Sequence, residues 1–241
     1  HKARLLSQAG NLDDALNEME IVLKYALNNT NYQLLHGQLL VWLDEDLNVA
    51  EKNLNGVLSK DPGNIDALIA LANLNFQKND LASADFYVNR AINIDPKYVP
   101  ALSNAGLILM AEEKYDAALE LFTAAAHLMP DSVEVLCNVA RALKEKGEYE
   151  IAIHHYHKAI ELDATNAQVF LDMAMCEKLN DNPAEAKNIY ELITTEDPLN
   201  PDAHNSFGNF LKETGEVEEA ISHYERAIEL EPTNPAPVNN L

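Results

Sequence analysis

The chain has 241 residues, with 39 acidic side chains against 17 lysines and arginines and a net charge of −22. That balance works against a polyanionic partner such as nucleic acid or an anionic membrane surface. No apolar run approaches the ~20 residues that cross a bilayer, and two cysteines at unrelated spacing, Cys137 and Cys176, argue for free thiols rather than a disulfide framework or a metal site.

In chain order, residues 1–30 read as an eroded helix pair, with Leu6, Gly10, Ala15 and Val22 at its inner positions. Regular pairs follow at 31–64, 65–98, 99–132, 133–166, 167–200 and 201–234. The clearest is 99–132. Its first helix, 101–112, places Leu102, Ala105, Gly106 and Leu109 on one face at helical spacing. Glu113-Lys114-Tyr115 is a turn, and 116–128 is a second helix with Leu119, Phe122 and Ala125 facing inward. Met129-Pro130-Asp131 stops it, because proline has no amide proton and clashes with the preceding turn.

The pairs copy one another. Ala50, Ala84, Ala118, Ala152, Ala186 and Ala220 stand 34 residues apart, and Pro62, Pro96, Pro130, Pro198 and Pro232 follow them at a constant distance. A fixed period of this length marks a solenoid of one repeated unit. The small residues let two helices approach closely, Gly106 and Gly208 doing so from the first helix. Gly147 and Gly215 suit a turn with positive φ. There are departures. Gln38 stands where a small residue belongs, Leu54 and Val88 replace an aromatic, and Ala164 replaces a proline. Ala15 lies 35 residues before Ala50, which puts one extra residue near Asn28-Asn29. Residues 235–241 align with Pro201–Phe207, and the first residues read as the middle of a helix, so the chain reads as a piece of a longer array.

Leu102, Gly106, Ala118, Phe122, Ala125 and Pro130 resemble the signature of the tetratricopeptide repeat family. The resemblance spans residues 31–234 and implies an all-α fold, a right-handed superhelical solenoid of antiparallel helix pairs. It also implies a concave groove lined by positions 2, 5, 9 and 12 of each first helix. Upstream those positions are apolar and aromatic, with Tyr32, Leu35, Leu39, Trp42, Ile69, Phe76, Leu107 and Met110; Asn73 adds an amide. Downstream they hold Arg141, Lys144, Lys178, Asn209 and Lys212. Lys144, Lys178 and Lys212 occupy position 12 of three consecutive repeats, a row suited to the carboxylates of an extended acidic segment. Lysine near a helix C-terminus is also favoured electrostatically without any ligand.

Position 6 carries a second row: Asn104, Asn138, Asp172, Ser206 and Asn240. It is partly similar to the repeats of O-linked N-acetylglucosamine transferases, where groove asparagines hold a peptide backbone. The carboxylate clamp of chaperone-binding repeats is not matched, because position 5 holds Ile69 and Cys137 rather than lysine.

No nucleophile–base pair, phosphate loop or metal spacing stands out. His154, His155 and His157 cluster on a second helix and read as exposed. The expectation is a non-enzymatic scaffold with no cofactor, metal or nucleic-acid partner. It binds a protein or peptide segment, acidic with an apolar anchor, in its groove. Two alternatives stay open: the substrate-recruiting region of a larger glycosyltransferase- or sulfotransferase-type enzyme, and a self-associating structural scaffold.

Overall fold

The computed structural model describes residues 3, 6, 10–23, 25 and 29–240. Among them every regular element is a helix: α1 Leu12–Leu23, α2 Thr30–Trp42, α3 Leu47–Lys60, α4 Ile65–Gln77, α5 Leu81–Ile94, α6 Val99–Ala111 and α7 Tyr115–Leu128, then α8 Val133–Glu145, α9 Tyr149–Leu162, α10 Ala167–Leu179, α11 Pro183–Glu196, α12 Pro201–Thr214, α13 Val217–Leu230 and α14 Pro235–Asn240. They form two compact units, His1–Leu128 and Met129–Leu241. Within each, helices pair in sequence (α2 with α3, α4 with α5, α6 with α7; α8 with α9, α10 with α11, α12 with α13) and each pair packs on the next. The expected all-α array of helix pairs is the observed one. The reading of His1–Leu5 as mid-helix, the placing of Asn28 and the alignment of Leu241 fall partly outside the described residues.

The helices start where the sequence supplies an acceptor for orphan amides. The side chains of Asn29, Asn64, Ser132 and Asn200 accept from backbone N–H groups in the first turns of α2, α4, α8 and α12. Asp46 and Asp80 do the same for α3 and α5. Helix α6 begins at Val99 rather than Ala101, because Pro100 in the first turn needs no amide partner.

The stops of the second helices rest on more than proline. Asp61, Asp95 and Asp163 leave helical geometry at φ −135°, −135° and −144°. Each turns its carboxylate back onto the amide two residues on: Gly63 at 3.2 Å, Lys97 at 2.9 Å and Thr165 at 3.0 Å. This local turn competes with the helix. It ends α9 although Ala164 stands where the other repeats have proline.

The turn inside each pair needs one left-handed residue. Gly147 (φ 80°) and Gly215 (φ 91°) supply it without strain, while Asn79, Glu113 and Asp181 adopt φ 59°, 60° and 62° at the equivalent places.

The repeated alanines are the contact between paired helices: Ala50, Ala84, Ala118, Ala152, Ala186 and Ala220 are at most 2% exposed. One turn further along the same second helix a large side chain faces the first helix, and its size sets what the first helix can carry. A Cβ on Gly106 would lie 2.4 Å from Phe122, and one on Gly208 would lie 2.7 Å from Tyr224.

The first full repeat departs from the count. Helix α2 begins at Thr30 and α3 at Leu47, whereas α4 begins at Ile65 and α5 at Leu81. The spacing from α1 to α2 matches that from α3 to α4. The extra residue therefore sits in the α2–α3 turn around Leu43–Asp46, where Asp44 and Asp46 take φ 53° and 26°, and not near Asn28-Asn29. Every side chain of α2 moves one place in register. The close-approach residue is Gly37, whose added Cβ would meet Leu54 Cγ at 2.7 Å; Gln38 was the wrong residue to compare.

Candidate functional site

In the second unit, α8, α10 and α12 each carry their lysine in the last turn, where the carbonyl end of the helix favours a cation. Lys144 Nζ lies 3.2 Å from Glu145. Lys178 pairs with Glu213 of the following first helix. Lys212 Nζ donates to the Asn240 carbonyl at 2.5 Å. Lys178 and Lys212 thus join one repeat to the next through half-exposed polar contacts, while Lys144 pairs within its own helix.

Arg141 reaches forward to the next repeat too. Its Nε lies 3.3 Å from Asp172 Oδ2, and its Nη1 is 3.5 Å from Asn138 Oδ1. Asp172 also accepts from Gln168 Nε2 at 2.9 Å. In the first unit Asn104 Nδ2 donates to Asn73 Oδ1 at 2.5 Å. Both contacts link position 9 of one repeat to position 6 of the next, a 31-residue separation. Sequence reasoning treated these positions as separate ligand rows and missed that they meet; the complementary donor and acceptor at that separation was the available signal. Asn209 is likewise engaged, accepting from the Tyr224 hydroxyl at 2.8 Å.

Three buried polar atoms in the second unit have no hydrogen-bond partner among the described residues: Asn138 Nδ2, His155 Nδ1 and the Tyr156 hydroxyl. Tyr156 stands where Tyr224 stands in its own repeat. Its local counterpart of Asn209 is Arg141, which can only donate, so its hydroxyl proton finds no acceptor there. Burial drives the Tyr156 hydroxyl to hold its proton more strongly, and the Asp172 carboxylate adds to this. Burial also raises the Cys137 thiol to about 11 and the Cys176 thiol to about 12, so both are neutral, inert side chains.

In the first unit Phe76 is 38% exposed at the end of α4, with Ile69, Leu107 and Met110 half-buried. The register shift in α2 corrects two of the expected aromatic positions. Tyr32 falls one place late, at the third position of α2, and packs partly against the core, beside a cleft of about 510 Å³ that also touches Leu35, Gln38 and Asp66. Trp42, 51% exposed, falls one place past the end of the row. Val41 takes that place; it is buried, and its carbonyl accepts from Gln77 Nε2 at 2.9 Å. Leu39, expected in the groove, is fully buried.

The histidine cluster of α9 does not converge. His154 and His157 are exposed, and His155 turns inward with Nδ1 buried and without a partner among the described residues. No group of three metal-ligating side chains forms among the described residues, and no helix there is long and apolar enough to cross a membrane.

Family models described as tetratricopeptide repeat match residues 42–105, 109–153 and 143–206, and one described as TPR repeat matches 208–241. The chain belongs to the tetratricopeptide repeat family. No curated protein matches it significantly. Solved TPR structures share its fold at low identity. A TPR protein from Parabacteroides merdae is 19% identical over 100% of this chain and 94% of its own, with a TM-score of 0.76. YrrB, described as a TPR protein with an unusual peptide-binding site, is 20% identical over 77% of this chain and 96% of its own, with a TM-score of 0.54. Human IFIT1, solved as a dimer with m7Gppp-AAAA, is 19% identical over 95% of this chain, which spans 57% of that protein, with a TM-score of 0.83. At such identities the likeness is one of fold.

Proposed function

We propose that this TPR array is a scaffold that holds an extended, acidic protein segment along the first helices of its second unit. The observation that carries this reading is the row of Lys144, Lys178 and Lys212 at one register position of α8, α10 and α12 in a chain of net charge −22. Each ammonium has three donors. The contacts it makes to Glu145, Glu213 and the Asn240 carbonyl are surface contacts worth about 0–1 kcal/mol, so a ligand carboxylate exchanges for them at little cost. Asn138 Nδ2, buried beside the row, is a donor that a backbone carbonyl would satisfy. Phe76 and its apolar neighbours in the first unit are a separate surface for an apolar side chain.

The structure of IFIT1 with m7Gppp-AAAA raises the reading of an RNA ligand. Net charge speaks against it here. Residues 167–234 alone carry half of the −22, and a nucleic acid, charged at every phosphate, meets that field along its whole length, whereas an acidic segment needs only the few carboxylates that the lysines take.

The test is fluorescence anisotropy with a labelled acidic peptide containing one aromatic residue, against a charge-neutral scramble. The proposal expects saturable binding that weakens at least about tenfold in Lys144→Glu/Lys178→Glu/Lys212→Glu and falls with added salt. Equal binding to wild type and triple variant overturns it, as does preference for the neutral scramble.

A further inference from the structure

We propose that His204 and His223 form a proton-operated latch between α12 and α13, closed at neutral pH and opened on acidification. Three other repeats hold apolar partners at the same two positions, Leu68 and Tyr87, Leu102 and Leu121, Phe170 and Ile189, while α8–α9 holds Leu136 and His155 and α2–α3 holds Gln33 and Asn53. Here both positions hold an imidazole. His204 is 8% exposed. Its Nδ1 lies 2.9 Å from His223 Nδ1 and its Nε2 lies 3.2 Å from the Pro198 carbonyl. The Phe207 ring stands 4.4 Å from the His223 ring.

The proton positions follow from the partners. A carbonyl only accepts, so His204 Nε2 carries a hydrogen. In the neutral ring His204 Nδ1 is then bare, and His223 Nδ1–H donates to it. A first added proton goes to His223 Nε2 and leaves that bond in place. A second must go to His204 Nδ1, where two N–H groups would face each other at 2.9 Å. The bond cannot survive it, and the helix pair then has two buried cations where three other repeats carry apolar side chains.

The surroundings favour the closed, neutral pair. His204 lies in the first turn of α12, where the helix dipole opposes a cation. Arg226 of α13 opposes it further, while Asp197, before α12, favours it. Glu225 and Glu229 line the adjoining cleft with Arg226, and Glu229 is paired to Arg226 at 2.9 Å. Lys187 of α11 is engaged with Glu216, and Lys178 of α10 with Glu213, both at the far ends of α13 and α12. Helix α14, which packs on both, has no titratable side chain. Burial is the largest influence and lowers the proton affinity of both rings below the ordinary 6.5. The unfolded chain therefore takes up protons first. Stability from the latch is complete above about pH 6.5 and is lost as pH falls below it.

Hydrogen exchange read by mass spectrometry on the whole chain tests this at pH 7.5 and 5.0, corrected for intrinsic rates. The histidine-free pair α10–α11 serves as the internal reference. In wild type, protection of α12–α13 should fall relative to α10–α11, by about tenfold for each unit of pKa depression in each ring. His204→Leu/His223→Leu restores an apolar pair and should abolish the fall. His223→Gln keeps a hydrogen-bonding side chain without the second charge and should abolish most of it, and it decides the matter if the leucine variant misfolds. Constant protection in wild type, or the same fall in both variants, overturns the latch.

Discussion

Gly106→Ala gives the sharpest measure of how tightly the helix pairs are fitted. In an isolated helix this change stabilises by about 1 kcal/mol, since alanine loses less backbone freedom than glycine. Here the new Cβ would sit 2.4, 2.7 and 2.8 Å from Cε1, Cζ and Cδ1 of Phe122, against about 3.5–4.0 Å for a comfortable carbon–carbon contact. The ring edge must therefore retreat by more than about 1 Å, and Phe122 is fully buried. Overpacking of this kind costs about 1–3 kcal/mol. Other pairs, such as Ala140 with Tyr156, hold an alanine and a buried aromatic together, so partial relaxation keeps the cost within that range. Because the ring is fully buried, the upper part of that range applies, about 2–3 kcal/mol, and subtracting the helical gain of about 1 kcal/mol leaves a net loss of about 1–2 kcal/mol. In a Phe122→Val background, which copies the Ala72 and Val88 pair, the sign should reverse and Gly106→Ala should stabilise by up to about 1 kcal/mol. Urea unfolding followed by circular dichroism measures both arms. Local hydrogen exchange in α6 and α7 guards against repeat-by-repeat unfolding. A Gly106→Ala protein as stable as wild type would refute the close-approach reasoning.

Four further outcomes follow from the same geometry. Ala152→Leu, at a fully buried position, should cost about 1–3 kcal/mol, while Lys178→Glu, which removes one surface ion pair, should change the free energy of urea unfolding by no more than about 1 kcal/mol. Gly147→Ala meets no atom within 4 Å, so its cost of about 1–2 kcal/mol should come from the left-handed backbone alone, with thermal melting as the check. Asp163→Ala should weaken the end of α9, because no proline follows to stop the helix, and Ala164→Pro should restore the lost stability. Cys137 and Cys176, raised to about 11 and about 12, should react with a thiol reagent at pH 8 only at the rate at which the chain opens.

The fold was legible because the repeat writes its packing into small residues. Ala118 and its equivalents fix which faces meet, whatever surrounds them. The register of α2 was not legible, because two length changes of one residue look the same when counted from Ala50. The turn around Asp44 absorbs the extra residue, and only the helix starts at Thr30 and Leu47 reveal it. The contacts between the expected ligand rows were not legible for a different reason. Asn104 and Asn73, or Arg141 and Asp172, stand 31 residues apart, and their matched donor and acceptor is the one sign in the sequence that they face each other. Such contacts depend on the rotation of one repeat upon the next, which residue spacing within a repeat does not encode. The pairing of His204 with His223 lay in view at two positions that three other repeats keep apolar, but only the tautomers forced by Pro198 give it meaning.

The extra residue beside Asp44 has a practical corollary. An α-helix turns by about 100° per residue, so one more residue inside a helix would have rotated everything beyond it. The α2–α3 turn behaves instead like an expansion joint: the added length bulges outward, Leu54 still closes on Gly37, and α4 onward keeps step. That makes the segment between Leu43 and Asp46 the natural place to insert a fluorophore tag or a linker, since the chain already accommodates one insertion there without passing it downstream.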